Sequence, residues 1–197
     1  MRIIAGAGRG RRILSVPKSL PVRPISDRMR QSLFDILRPK VPGSHFLDLF
    51  AGTGAVGLEA LSRGAERVIF VDKDPRCIDV IQKNLERTNW KNRAQMHRGD
   101  LLSPMGWIAY RSGLEHFDLI FMGPPYKDLQ GNPLQVARVL LEGVLAAKLL
   151  APGGWIVAQH HKKETPAAPD ELELFRRSRY GDTLISFFRG RPERRPS

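Results

Sequence analysis

Two short motifs about seventy positions apart carry residue types that can do chemistry together. The first, Asp48-Leu49-Phe50-Ala51-Gly52-Thr53-Gly54, opens with a carboxylate and turns through glycines that let a ligand approach the backbone closely. The second, Gly123-Pro124-Pro125-Tyr126, follows directly on the apolar run Leu119-Ile120-Phe121-Met122. Asp48 can pair with an ammonium group, and Asp72, at the end of another apolar run, can accept from both hydroxyls of a ribose. Asp100 can accept from an adenine amine while the Leu101 backbone N–H donates to the ring. In the second motif, paired prolines stiffen the loop and fix a carbonyl that accepts from an exocyclic NH₂, and Tyr126 can stack on the base that bears it. Ammonium, ribose and adenine together describe S-adenosylmethionine. The two motifs then describe methyl transfer from it to the amine of a flat base, a reaction in which positioning supplies most of the acceleration.

A rival reading exists. Gly52-Thr53-Gly54-Ala55-Val56-Gly57 also matches the dinucleotide fingerprint, with Asp72 near the distance of its ribose acid. A dinucleotide has no ammonium for Asp48, however, and hydride transfer has no use for Gly-Pro-Pro-Tyr. Asp74 reads as a helix N-cap, and Asp100 reads equally as a turn aspartate. His160-His161 invites a metal reading, but no cysteine or carboxylate cluster completes it, so no metal is expected. The single cysteine, Cys77, excludes an internal disulfide framework, fits a reducing cytosol and reads as a packing or surface residue.

Alternating elements must hold these residues. Phe46–Phe50, Arg67–Asp72, Ala94–His97, Phe117–Met122 and Trp155–Ala158 read as buried strands, the last after a turn at Pro152-Gly153-Gly154. Helices are expected after Gly54, after Asp74-Pro75, and from Asn132-Pro133 through Leu134, Ala137, Leu141, Leu145 and Leu149. Ser26 caps a further helix with Met29, Leu33 and Ile36 or Leu37 on one face, and Pro39 ends it. Glu171–Arg179 and Thr183–Phe188 read as an antiparallel pair. Such alternation predicts a mostly parallel α/β sheet with an antiparallel end, whose ligands sit beyond the carboxyl ends of its strands. Ahead of it, residues 1–24 read as a separate hairpin arm with a glycine-rich turn, and 190–197 as a basic disordered tail.

The 197 residues suit one main domain, and no run of apolar residues is long enough to cross a membrane as a helix. Charge is the strongest compositional signal: 32 Lys and Arg against 20 acids leave a net charge of +12. Such an excess points to a polyanionic partner, whose counterions the cations release. Arginines gather at both ends, with Arg2, Arg9, Arg11, Arg12, Arg23, Arg28 and Arg30 in the first thirty positions. Arg9, Arg11, Arg12, Arg23 and Arg28 are the expected contacts to such a partner.

Arg2-Ile3-Ile4-Ala5-Gly6, Arg9-Gly10-Arg11, Arg23-Pro24 with Asp27-Arg28 and Arg30, the Asp48–Gly54 motif and Leu58–Arg63 run in the order seen in RsmD-type methyltransferases. The chain resembles that family from about Arg2 to Arg189. The resemblance implies a Rossmann-like class I fold with a seven-stranded sheet, S-adenosylmethionine as donor, and methylation of the N2 amine of a guanine in 16S ribosomal RNA of the bacterial small subunit. It further implies a cytoplasmic enzyme with an arm that touches RNA, a cofactor site at Asp48, Phe50, Gly52, Gly54, Asp72, Asp100 and Leu101, and a base pocket at Gly123, Pro124, Pro125 and Tyr126. A monomer is expected. Two alternatives remain open: a non-catalytic RNA-binding relative, and methylation of adenine N6.

The departure from the pattern is Gly123, where the family has aspartate. Asp118 lies at the far end of the same strand, about 16 Å away at roughly 3.3 Å per residue, and cannot replace it. Losing one hydrogen bond to an amine that develops positive charge costs on the order of 1.5–3 kcal/mol, roughly 10- to 150-fold in rate.

Overall fold

A computed structural model describes residues 1–17, 20, 25–126 and 134–191. The helices are α1 (Asp27–Leu37), α2 (Ala55–Ser62), α3 (Pro75–Thr88), α4 (Trp107–Ser112) and α5 (Ala137–Ala146). The strands are β1 (His45–Leu49), β2 (Arg67–Asp72), β3 (Ala94–Arg98), β4 (Phe117–Met122), β5 (Leu150–His161), β6 (Leu172–Tyr180) and β7 (Thr183–Gly190). They form one sheet in the order β3-β2-β1-β4-β5-β7-β6. Strands β1 to β5 are parallel, and β7 is antiparallel to both its neighbours. The strand order reverses between β1 and β4, so the Rossmann-like switch point falls beside Asp48 and Gly123.

Helices cover both faces. Phe46, Phe70 and Phe187 pack with α1, α2 and α3 on one side; Leu47, Ile120 and Phe188 pack with α4 and α5 on the other. Phe187 and Phe188 are therefore both fully buried. Alternation sends adjacent side chains to opposite faces, and a sheet covered twice buries both. Helix α1 is capped as its sequence predicts, with Ser26 Oγ accepting from the Met29 N–H at 3.3 Å. Its buried face is Arg30, Leu33, Phe34 and Leu37.

Three expectations need correction. Pro152-Gly153-Gly154 is not a turn ahead of β5 but lies inside it, where Gly153 at φ +72° and a register shift opposite Phe117 and Leu119 mark a bulge. Strand β5 also runs on to His161, past the expected end at Ala158. Trp155, read as a core residue, is only half-buried and tilts against Phe175 at 4.9 Å. The sequence reading had no α4, and the expected helix start at Asn132-Pro133 lies outside the described residues; within them α5 begins at Ala137.

The N-terminal arm is a hairpin-like loop with a single antiparallel bridge, Arg2 to Arg12, in place of two strands. It is not detached. Ile3 and Ile13 belong to the same apolar cluster as Phe34 and Leu58. Glu59 on α2, wholly buried, accepts from the N–H groups of Ile4 (2.8 Å) and Ala5 (3.0 Å). Its carboxylate also meets Arg63 Nε at 2.7 Å and Arg30 Nε at 3.7 Å. Gly6, at φ +81°, lies where a Cβ would stand 1.9 Å from the Ser62 carbonyl oxygen, so only glycine permits this approach. Arg30, counted among the arginines for a polyanion, is fully buried; its guanidinium donates to the Arg2 carbonyl and to Asp27. It locks the arm to α1.

Candidate active site

Beyond the carboxyl ends of β1, β2, β4 and β5 lies a cleft of about 830 Å³. Its floor begins with Asp48, 1% exposed on β1, whose Oδ2 accepts from the Gly57 N–H in the first turn of α2 at 2.8 Å. The chain then turns through Phe50, Gly52 and Gly54, all at positive φ (59°, 56° and 76°). Gly57, the last glycine of the dinucleotide-like pattern, serves packing: a Cβ there would come within 2.2 Å of the Phe70 ring. At the end of β2, Asp72 holds the turn from the other side. Its Oδ2 accepts from the Gly52 N–H and its Oδ1 from the Asp74 N–H, each at 2.9 Å. Asp74 is the N-cap of α3, accepting from the Arg76 N–H at 2.9 Å.

Burial pushes the Asp48 carboxyl up to about 8; the Gly57 N–H opposes the shift and neighbouring Asp72 adds to it. A buried carboxyl of this kind fits a ligand ammonium, which would supply the missing counter-charge. With the close-approach glycine turn and the free lone pairs of Asp72, the donor and acceptor set suits S-adenosylmethionine. One consequence is measurable. At pH 7 Asp48 is mostly protonated in the free protein and ionised once paired, so binding of S-adenosylhomocysteine should release close to one proton from it. Calorimetry in buffers of different ionisation enthalpy should show that release, and an enthalpy independent of buffer would contradict it.

Not every expected residue reaches the cleft. Asp100 is exposed in a turn, with Oδ1 accepting from the Leu102 N–H at 3.0 Å, and Leu101 is buried in the core; neither lines the cleft. Cys77 is buried among Val16 and Leu20 and does line it, its thiol pushed up to about 12 by burial. His160 is buried, with Nε2 at 2.9 Å from Ser186 Oγ. Among the described residues no group of three His, Cys, Asp or Glu could hold a metal ion.

The opposite wall is Gly123, Pro124, Pro125 and Tyr126. The Gly123 N–H donates to the Leu49 carbonyl at 3.3 Å, which fastens the loop to the switch point. The Tyr126 hydroxyl donates to Thr183 Oγ1 at 2.9 Å and accepts from Gln159 Nε2 at 3.1 Å, and the ring meets His161 edge-on at 5.8 Å. Tyr126 is thus held at its tip by β5 and β7. Gln159 and Glu164 line the cleft and were missed from the sequence, and His161, weighed there only for a metal, lines it too. The signal for Gln159 was its place two residues after Val157 on the same strand, lost once β5 was ended at Ala158.

Outside the cleft, Arg9, Arg11, Arg12 and Arg28 are exposed. Arg11 also donates to the Thr88 carbonyl at 2.9 Å and so helps dock the arm. Arg23 lies outside the described residues. Asn84 on α3 ties the arm to the glycine turn: it accepts from the Leu14 N–H at 2.7 Å and donates at 3.2 Å to the carbonyls of Leu14 and Thr53.

The strand order and the site at the switch point define a class I S-adenosylmethionine-dependent methyltransferase. Residues 1–189 match the family model described as Conserved hypothetical protein 95, and the chain belongs to this family, the RsmD family. A Bacillus subtilis relative named "Putative rRNA methyltransferase YlbH" is 35% identical over 97% of this chain and 100% of its own. Ribosomal RNA small subunit methyltransferase D of Haemophilus influenzae is 30% identical over 95% of this chain and 91% of its own. A solved Thermus thermophilus structure superimposes with a TM-score of 0.75 at 34% identity, covering 95% of this chain and 98% of that one.

Proposed function

We propose that the protein transfers a methyl group from S-adenosylmethionine to the exocyclic N2 amine of a guanine in 16S ribosomal RNA, within an assembled or partly assembled small subunit. The observation that carries this reading is one cleft walled on one side by a buried carboxyl, Asp48, and on the other by Pro124, Pro125 and Tyr126. The relatives named for small-subunit RNA and the net charge of +12 support an RNA substrate. When bound, S-adenosylmethionine supplies an electrophilic methyl group on a sulfonium. Asp48 pairs with the ammonium, Asp72 and the glycine turn hold the ribose end, and Tyr126 offers a fixed ring for the base to stack on. The Pro124 carbonyl accepts from the target amine and turns its lone pair toward the methyl group. The base leaves its stack to enter the cleft. Arg9, Arg12 and Arg28 contact RNA phosphates beside it.

Gly123 favours a second reading, a non-catalytic RNA-binding relative, because it carries no side chain to grip the amine. Transfer of labelled methyl to small subunits lacking guanine N2 methylation separates the two. The chain as it stands should transfer, and Gly123→Asp should transfer up to about tenfold faster, as an ionised acceptor is added to the neutral Pro124 carbonyl. A Cβ at 123 would stand 3.1 Å from the Phe121 ring and within 4 Å of no backbone atom beyond its chain neighbours, so the ring must give by a few tenths of an ångström to admit the side chain. Transfer by neither form, on subunits proven methylatable by another enzyme, would favour the binding-only reading.

A further inference from the structure

The position that lacks a side chain has a polar neighbour. Met122 pairs with Ala158 in the parallel β4–β5 ladder, so Gln159 is the next residue along β5 beside Gly123. A Cβ built on Gly123 would lie 4.0 Å from the Gln159 Cβ, so the two positions share one corner of the cleft. Gln159 is 6% exposed and lines the cleft. Its Nε2 donates to the Tyr126 hydroxyl, whose own proton goes to Thr183, and in this arrangement the amide oxygen is the atom that the chain leaves over. Oε1 is left as an acceptor with no hydrogen-bond partner among the described residues.

We propose that Gln159 Oε1 is the acceptor for the target amine that position 123 lacks, which makes Gln159 a catalytic residue of the methyl transfer inferred above. The acidic side chains on the cleft are committed elsewhere. Asp48 accepts from the Gly57 N–H of α2, Asp72 holds the glycine turn, Asp74 caps α3, Asp182 pairs with Lys162 at 2.7 Å, and Glu164 accepts from the Ala137 N–H at 2.7 Å. An amide oxygen suits the step because the amine needs an acceptor for one N–H while its lone pair forms the N–C bond. The C–S bond breaks onto sulfur, and the proton then lost from nitrogen passes to water. The same amide grips the Tyr126 hydroxyl, so amine and stacking ring are aligned by one side chain.

The test is a cycle of four proteins assayed for methyl transfer to small subunits, with S-adenosylhomocysteine binding as the check on folding. Gln159→Leu should lower kcat about 10- to 100-fold. Adding Gly123→Asp to Gln159→Leu should recover at least tenfold, because it restores an acceptor without restoring the grip on Tyr126. Undiminished transfer by Gln159→Leu would overturn the proposal, and so would a loss that Gly123→Asp does not recover, which would mean Gln159 acts only through Tyr126. Should the leucine variant fail to bind S-adenosylhomocysteine, Gln159→Glu decides: it should stay active and gain an acidic limb in its kcat–pH profile, and a profile identical to the parent's would count against the proposal. Transfer by Gly123→Asp alone, with the parent inactive, would sink the role of Gln159 and leave the methyltransferase reading standing. Inactivity of both would sink both.

Discussion

Asp48→Asn should raise the dissociation constant for S-adenosylhomocysteine on the order of 100- to 1,000-fold while leaving the free protein folded. The carboxyl is 1% exposed, and removing one partner of a buried ion pair leaves the other uncompensated, typically about 3–4 kcal/mol. Asparagine keeps the local structure because its carbonyl can still accept from the Gly57 N–H, the hydrogen bond that ties β1 to α2. The free protein gives a second readout. Its carboxyl holds a proton up to about pH 8 that the unfolded chain releases near its ordinary value of 3.8. The folded state therefore binds more protons between those values, and stability should fall as pH rises from about 4 to 8. The asparagine variant should lose that slope and be at least as stable as the parent at pH 8. Calorimetry and thermal unfolding across pH measure both. Unchanged affinity in Asp48→Asn would mean that the ammonium sits elsewhere.

Glu59→Ala should be the most destabilising single change in the arm interface. It would strip acceptors from the Ile4 and Ala5 N–H groups and leave the buried Arg30 with the half-exposed Asp27 in place of a buried counter-charge. Breaking a buried charge pair on one side costs about 3–5 kcal/mol, which for a chain of this size lowers the melting midpoint by on the order of 10 °C. Hydrogen exchange should then show the amides of Ile3, Ile4 and Ala5 opening ahead of the sheet. Glu59→Gln should fall in between, since its amide oxygen can keep one backbone N–H. A shift of only a degree or two would mean that the arm is an independent appendage, as its sequence alone suggests.

That contrast marks where the sequence was readable. The alternation of strands and helices and the glycine turn were legible because apolar runs, Pro75 at a helix start and Gly52-Thr53-Gly54 are local signals, and the structure puts Asp48, Gly52, Asp72 and the Gly123–Tyr126 loop around one cleft. Docking of the arm was illegible because it depends on residues 54 or more positions apart, such as Ile4 with Glu59 and Gly8 with Ser62. Arg30 read as a surface cation because charge says nothing of burial until α1 is placed against the arm. Gln159 was hidden for a related reason. Pro152-Gly153-Gly154 reads as a turn, but the bulge carries β5 through it and onward by enough residues to bring a glutamine beside Gly123. Helix α4 is only six residues long and gives too short a pattern to recognise.

The most direct test of the central reading is the identity of the methylated nucleoside. Small subunits lacking guanine N2 methylation would be incubated with the protein and labelled S-adenosylmethionine, and their 16S RNA digested and separated. The label should run as N2-methylguanosine, at one site per subunit. Label running as N6-methyladenosine would contradict the guanine assignment while keeping the methyltransferase.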